Sequence, residues 1–236
     1  MAGTTNTNTE FEIRGFNHLA LVCRDMAETV AWYDEVLGMK LVKTLELPGG
    51  RGQHFFLDMG NGVDGIAFFW FPGAPEGVRG ESLQDRNGMT AIGTVNHIAF
   101  DVPPEKMDEY AEKLKSKGVK VTQIINHSDS LEGGHQPNYD PATDNGDVFV
   151  RSMYFQDPNG TLLEFACWTT TFDESDVRHV AATADGVVPE SRARIASGTT
   201  TSAAATVRTV RAALICSDSS FQARGLPTAG PQHRSP

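Results

Sequence analysis

Apolar and polar positions in the first third of the chain follow two different periods, one after the other. Alternation over 16–23 is typical of a half-buried strand, and a helical stripe of apolar residues follows over 26–37. Glycine-rich turns then separate three further apolar stretches. These stretches predict strands over 40–47, 52–59 and 65–71. The pattern therefore predicts a β-α-β-β-β unit.

The same unit is predicted a second time. The run FNHLAL at 16–21 returns as VNHIAF at 95–100, and each copy is followed by a helical pattern. Two segments that keep register over such a length indicate one supersecondary unit used twice. The elements of the second copy are a strand over 94–102, a helix over 104–117, and strands over 120–125, 148–156 and 161–168.

The polar loop at 126–147 is unusually long for a compact domain. It is either a binding loop or lid, or a solvated insertion.

These patterns predict an α+β fold in which paired βαβββ modules form a cupped mixed sheet. The predicted parts are a disordered leader (1–10), module 1 (11–72), a linker (73–93), module 2 (94–170) and a C-terminal tail (171–236). The tail is expected to begin with a short helix over 173–182. It then becomes disordered beyond about 188, because it lacks apolar periodicity.

Composition narrows the class of protein. The chain has 236 residues, a formal net charge of −10 and a pI near 5.1, which argues against binding a nucleic-acid backbone. No apolar run reaches transmembrane length, and the polar start lacks the apolar core of a secretory signal. The three cysteines, Cys23, Cys167 and Cys216, have neither metal nor redox spacing. We therefore expect a cytoplasmic protein without nucleic-acid or membrane partners.

Two histidines and one glutamate are the candidate metal ligands. Strand alternation places His18 and His97 at matched positions of the two modules, so duplication brings them to equivalent faces. Glu164 stands between apolar neighbours in the last strand, where a buried carboxylate needs a metal or hydrogen bonds as compensation. Two imidazoles and one carboxylate leave open positions on a non-haem Fe(II). The alternatives are hydrogen-bonded core histidines, an edge-strand charge, or a duplicated fold that has lost its metal.

The two modules, the Asn-His openings and the ending YFQDPNGTLLE at 154–164 resemble the vicinal oxygen chelate superfamily. That superfamily includes glyoxalase I, bleomycin- and fosfomycin-resistance proteins, an epimerase and the extradiol dioxygenases. The resemblance covers about 12–170 and implies that His18, His97 and Glu164 hold the metal. Some members take a fourth ligand from the last strand of module 1, where alignment on the turns places Ile66 or Phe69. Three protein ligands are therefore predicted, as in extradiol dioxygenases and in fosfomycin-type thiol transferases, whose ligands come from two chains.

Three further residues are candidates for catalysis. The resemblance to the extradiol pattern gives Tyr154 the role of hydrogen-bonding a substrate oxygen, although the histidine that precedes the tyrosine in that pattern is missing at 145–147. His54 is expected to share a face with Phe56, the counterpart of Tyr154, where a neutral imidazole can act as general acid or base. His135, on the long loop, competes for the same role.

The favoured function is an extradiol-like oxygenase that uses Fe(II), or alternatively Mn(II), on a catechol or other vicinal-oxygen substrate. One alternative keeps the metal as a Lewis acid, in a lyase, isomerase or thiol transferase. Another is a metal-free protein that sequesters a small aromatic or cationic compound. A homodimer is expected in each case, and the sequence leaves open whether one chain completes the site.

Overall fold

The computed structural model describes residues 3–4, 8–75, 92–128, 134–143, 146–177 and 179–184. The chain separates into two compact units, Met1–Val177 and Arg178–Pro236. Both modules lie in the first unit. The predicted disordered tail beyond 188 and most of the predicted linker lie outside the described residues.

Module 1 forms a four-stranded mixed sheet with one helix. Its strands run in the order β2-β5-β4-β3, so that β2 and β5 are parallel neighbours. The leader contributes the two-residue strand β1 (Gly3–Thr4). The other elements are β2 (His18–Val22), α1 (Met26–Leu37), β3 (Lys40–Leu47), β4 (Gly52–Asp58) and β5 (Gly65–Trp70).

The ends of α1 agree with the prediction because both caps are local in sequence. The Asp25 carboxylate accepts a hydrogen bond from the Glu28 backbone N–H at 2.9 Å. Gly38 adopts φ 78°, the left-handed conformation that closes a helix at its C-terminus.

Module 2 has the same topology, with its strands in the order β6-β9-β8-β7. This confirms the α+β fold of two βαβββ modules. A two-residue strand, β10 (Thr171–Phe172), follows the module and pairs with β1. The elements of the module are β6 (Ile98–Asp101), α2 (Met107–Ser116), β7 (Ile125–Ser128), β8 (Val148–Gln156) and β9 (Leu162–Trp168).

Three predicted elements of the chain were wrong. The strand predicted over 120–125 begins only at Ile125, because the Thr122 hydroxyl accepts the Tyr154 N–H at 3.0 Å and interrupts the ladder. The tail helix over 173–182 is reduced to one 3₁₀ turn, Glu174–Asp176, closed by a capping box on Asp173. The leader is not wholly without structure, since its residues 3–4 pair with β10.

The two modules of the chain contact each other through α1 and the turn before β9. The buried Tyr33 hydroxyl donates to Asp157 Oδ2 at 3.2 Å. Asn159 donates through Nδ2 to Thr29 Oγ1 at 3.1 Å and accepts the Arg24 N–H at 2.9 Å. These bonds tie the hairpin that carries Tyr154 and Glu164 to the helix of module 1. None of the helices in the described parts of the chain is long and apolar enough to cross a membrane.

Strand register corrects one sequence alignment. In module 1, Ala20 pairs with Ala67, and in module 2, Ala99 pairs with Glu164. Ala67 is therefore the counterpart of Glu164, rather than Ile66 or Phe69, because the turns before β5 and β9 differ in length. An alanine cannot ligate a metal, so the last strand of module 1 supplies no fourth ligand.

Candidate functional site

His97 and Glu164 form the centre of the candidate site. His97 lies immediately before β6, and Glu164 lies on the neighbouring strand β9. The atoms His97 Nε2 and Glu164 Oε2 are 2.9 Å apart, with side-chain exposures of 36% and 6%. The face of each sheet that carries the histidine is called the site face of that module.

Both ring nitrogens of His97 meet oxygen atoms. Nδ1 is 2.7 Å from Asn96 Oδ1, and Nε2 faces the Glu164 carboxylate. A neutral imidazole has one N–H and satisfies only one of these oxygens. A cation between Nε2 and the carboxylate, either a ring proton or a metal ion, leaves Nδ1–H free to bond Asn96. It thereby satisfies the imidazole, the carboxylate and the Asn96 amide oxygen together. The pair therefore fits a divalent metal in charge and in donor type.

Tyr154 shares the site face of module 2 with this pair. It lies on β8 directly opposite Glu164, and its ring centre is 5.7 Å from that of His97 in an edge-on arrangement. Tyr154 is only 9% exposed. Its ring therefore lies beside both ligand candidates.

His18 lies on the site face of module 1, among aromatic rings rather than with His97. Its ring centre is 5.3 Å from that of Phe56, and its Nδ1 is 2.7 Å from Asn17 Oδ1. Over the described residues of one chain, no three His, Cys, Asp or Glu side chains are grouped to hold a metal. A single chain thus brings two of the three predicted ligands together and leaves His18 apart.

His54 also lies on the site face of module 1, as predicted. Its ring stacks on Phe69 with centroids 3.6 Å apart and lies 4.2 Å from Phe56. Burial, and secondarily the charge of His18, lower the pKa of His54 below its ordinary value of 6.5. Its Nε2 is buried, and none of the residues that the structure describes hydrogen-bonds to it. The described residues therefore leave the hydrogen-bonding capacity of this ring nitrogen unused.

Ser152 is a further candidate residue on the site face that the sequence reasoning missed. Its Oγ is buried and has no hydrogen-bond partner within the described parts of the chain, and the residue is 1% exposed. It lies two positions before Tyr154 on the same strand face. Register makes it the counterpart of His54, since Ser152 pairs with Ala166 as His54 pairs with Phe69. Alternation counted back from Tyr154 would have found it.

His135 lies elsewhere in module 2. It forms a bridge with His127 beside the edge strand β7, and its Nδ1 accepts the Asn126 N–H at 3.1 Å. His135 therefore holds the loop against β7. Strands β8 and β9 separate β7 from β6, at whose start His97 stands.

A groove runs along the edge strands that carry the two histidines. Its volume is about 1180 Å³, and its walls include Phe16 and Leu19 from module 1 and His97 and Ile98 from module 2. In the described sheets, β2 and β6 are both edge strands. The groove thus places an unpaired strand edge and an apolar surface next to His97.

The fold and this site define the class of protein. The Glyoxalase/Bleomycin resistance protein/Dioxygenase superfamily model matches residues 15–165. The chain therefore belongs to that superfamily, as its resemblance had implied.

Individual relatives differ in how much of their length they share with this chain. The fosfomycin resistance protein FosX of Listeria innocua is 28% identical over 162 residues, which cover 66% of this chain and 92% of the relative. A putative ring-cleaving dioxygenase of Bacillus subtilis, MhqE, is 29% identical over 112 residues, covering 46% of this chain and only 33% of the relative. The crystal structure of FosX from Listeria monocytogenes with Mn(II) and sulfate matches with a TM-score of 0.40 and 22% identity, covering 66% and 93% of the two chains.

Proposed function

We propose that this chain is a metal-dependent enzyme whose metal site is shared between two copies. His97 and Glu164 of one copy and His18 of the other would hold the metal. The observation that carries the proposal is the contact of His97 with Glu164 beside Tyr154, while His18 stands on the site face of the other module. This makes the expected homodimer a requirement of the site.

Edge strands and the groove support this pairing. A second copy that places its β2 beside β6 would cover an unpaired strand edge and the apolar walls of the groove. Two exposed apolar residues lie just before these strands, Phe16 at 77% and Val95 at 50% exposure. A two-fold symmetric pair would form two equivalent sites.

The donor set is two imidazole nitrogens and one carboxylate oxygen, which suits Fe(II) or Mn(II) with open positions for a substrate. When bound, such a metal supplies Lewis-acid activation of a substrate oxygen. Tyr154 would donate a hydrogen bond to that substrate. The buried Ser152 hydroxyl would form a hydrogen bond with a polar atom of the same substrate. His54 would arrive with His18 from the second copy and would move a proton as a neutral imidazole.

Addition of a nucleophile to a small oxygen-containing substrate, or its isomerisation, is the reaction class that the site supports best. The shared three-ligand site is the arrangement that the resemblance to fosfomycin-type transferases implies. The relatives called fosfomycin resistance proteins also align along most of their length, 92% in the Listeria innocua protein.

A second candidate is the ring-cleaving oxygenase predicted from the sequence. The position of Tyr154 opposite Glu164 and beside His97 favours it, because a catechol oxygen bound there would lie within reach of the phenol. The dioxygenase relative, in contrast, matches over a third of its own length.

Metal content and oxygen dependence separate these reactions. Protein purified without chelator is loaded with Mn(II) or Fe(II), and turnover is measured with and without oxygen. The substrates are fosfomycin with a thiol or with water, and a panel of catechols. We expect turnover that persists without oxygen and with either metal. Oxygen uptake with a catechol would favour the second candidate, and failure to bind either metal would contradict both.

A further inference from the structure

Each candidate ligand histidine is preceded by an asparagine that contacts its ring. In module 1, His18 Nδ1 is 2.7 Å from Asn17 Oδ1, and in module 2, His97 Nδ1 is 2.7 Å from Asn96 Oδ1. The same contact at the same distance thus recurs in two modules whose other site residues differ.

The chemistry of the contact determines which ring atom carries the proton. An amide oxygen only accepts hydrogen bonds, so Nδ1 must be the donor. In a neutral imidazole, a proton on Nδ1 leaves the lone pair on Nε2. The asparagine therefore selects Nε2 as the atom that can bind a metal.

The geometry of module 2 agrees with this selection. The ring nitrogen of His97 that faces Glu164 is Nε2, at 2.9 Å from Oε2. Asn96 therefore holds the ring at Nδ1, and the Nε2 lone pair and the Glu164 carboxylate face the same point, where a bound cation would satisfy both. A ring rotated by 180° would lose both contacts.

We propose that Asn17 and Asn96 are positioning residues that hold His18 and His97 with Nδ1 protonated and Nε2 directed at the shared site. This inference rests on the proposed function for its purpose, although the hydrogen bonds themselves do not. Outer hydrogen bonds to metal-binding histidines contribute roughly ten- to hundredfold in metal affinity. The Asn-His dipeptide occurs once in each module. In each module it would orient one histidine as a ligand of the shared site.

The test compares variants of the full-length protein with and without an oxygen acceptor. Asn17→Leu and Asn96→Leu keep the approximate size of the side chain and remove the acceptor, whereas Asn17→Asp and Asn96→Asp keep an oxygen in its place. Asn8→Leu is the control, because Asn8 accepts only backbone N–H groups in the exposed N-terminal segment. Mn(II) affinity is measured by calorimetry, and circular dichroism checks the fold of each variant.

We expect the leucine variants to bind Mn(II) roughly ten- to hundredfold more weakly, the aspartate variants to recover most of the loss, and the control to match the unmodified protein. Leucine variants that fold and bind Mn(II) within twofold of the unmodified protein would overturn the inference. So would leucine and aspartate variants that lose affinity equally.

A second readout does not depend on metal binding. Long-range proton–nitrogen NMR spectra of the metal-free protein report which nitrogen of His18 carries the proton. We expect Nδ1–H in the unmodified protein and in Asn17→Asp, and a shift away from it in Asn17→Leu. Nε2–H in the unmodified protein would overturn the inference. If the unmodified protein binds no metal, the proposed function fails, and the tautomer of His18 alone decides the inference.

Discussion

Ala67 occupies in module 1 the position that Glu164 occupies in module 2. Each lies opposite an alanine two residues after the module's histidine, Ala20 and Ala99 respectively. A duplicated fold therefore carries an unequal donor set, with one carboxylate where a symmetric site would have two. In the proposed site, that inequality would leave coordination positions open for a substrate that a fourth protein ligand would fill.

The first prediction concerns that carboxylate. Glu164→Gln keeps the shape of the side chain and removes the negative charge that faces His97 and would bind the proposed metal. We expect Mn(II) affinity to fall by at least about a hundredfold, more than for loss of an outer hydrogen bond. Calorimetry measures it, with Glu112→Gln as the control because that carboxylate lies at the surface beside Lys115. Equal Mn(II) affinity in Glu164→Gln and the control would rule out Glu164 as a ligand.

The second prediction concerns the phenol of Tyr154. Tyr154→Phe removes only the hydroxyl, and a hydrogen bond to a charged group contributes about 1.5–3 kcal/mol. We expect kcat/KM to fall roughly ten- to hundredfold while metal affinity stays within a few fold. Tyr139→Phe is the matched control, since its ring packs against the Arg151 guanidinium at 5.1 Å and does not line the groove. Unchanged kcat/KM in Tyr154→Phe would show that the phenol does not hydrogen-bond the substrate.

The third prediction separates function from stability at Ser152. Its buried hydroxyl has no hydrogen-bond partner among the described residues, and such a group costs about 1–3 kcal/mol. Ser152→Ala should therefore raise the free energy of unfolding by roughly 1 kcal/mol and weaken substrate binding. Denaturant unfolding and KM measure the two effects. Ser116→Ala, which loses a hydrogen bond to Lys113 O, should instead lower the free energy of unfolding and leave KM unchanged. A Ser152→Ala protein that is less stable would show that the hydroxyl has a structural partner.

The fourth prediction concerns pH and the link between modules. Burial, and then the charge of Asp157, raise the pKa of Tyr33 well above its ordinary value of 10.0. As pH rises, the unfolded chain therefore loses this proton before the folded chain does. The stability that Tyr33 contributes is fully present below about pH 10 and is lost as pH rises further. Tyr33→Phe should flatten the decline between pH 10 and 11 and cost roughly 1 kcal/mol at pH 7. Urea unfolding across this range measures both effects, and an unchanged decline would exclude Tyr33 as its cause.

Local signals explain how much of the fold could be predicted. The bounds of α1 follow from Asp25 and Gly38, which act within a few residues of the chain. Period-two alternation was enough to place His54 on the same face as Phe56, whereas the association of Tyr154 with Glu164 came from the family resemblance. The strand predicted over 120–125 failed because the Thr122 hydroxyl competes for a ladder hydrogen bond, which no apolar pattern reveals.

The distance between the two modules' site faces and the exact equivalence of their strand positions could not be predicted from the sequence. Periodicity placed His18 and His97 on equivalent faces, but the distance between those faces depends on packing of α1 against the turn at Asp157 and Asn159. The identity of Ala67 as the counterpart of Glu164 depends on strand register across turns of different length. These are long-range properties that a repeat in the sequence does not carry.

Mixing two defective variants tests the central claim, a metal site shared between two copies, most directly. His18→Ala and Glu164→Gln chains each lack one ligand, and each should bind little Mn(II) alone. In a mixed dimer, one site has both defects and the other has none. Co-expression at equal levels should therefore restore about one quarter of the sites of the unmodified protein, because half of the dimers are mixed and half of their sites are intact. Titration with Mn(II) counts the sites. Recovery near one quarter is the predicted result, and no recovery from two variants that dimerise normally would contradict the account.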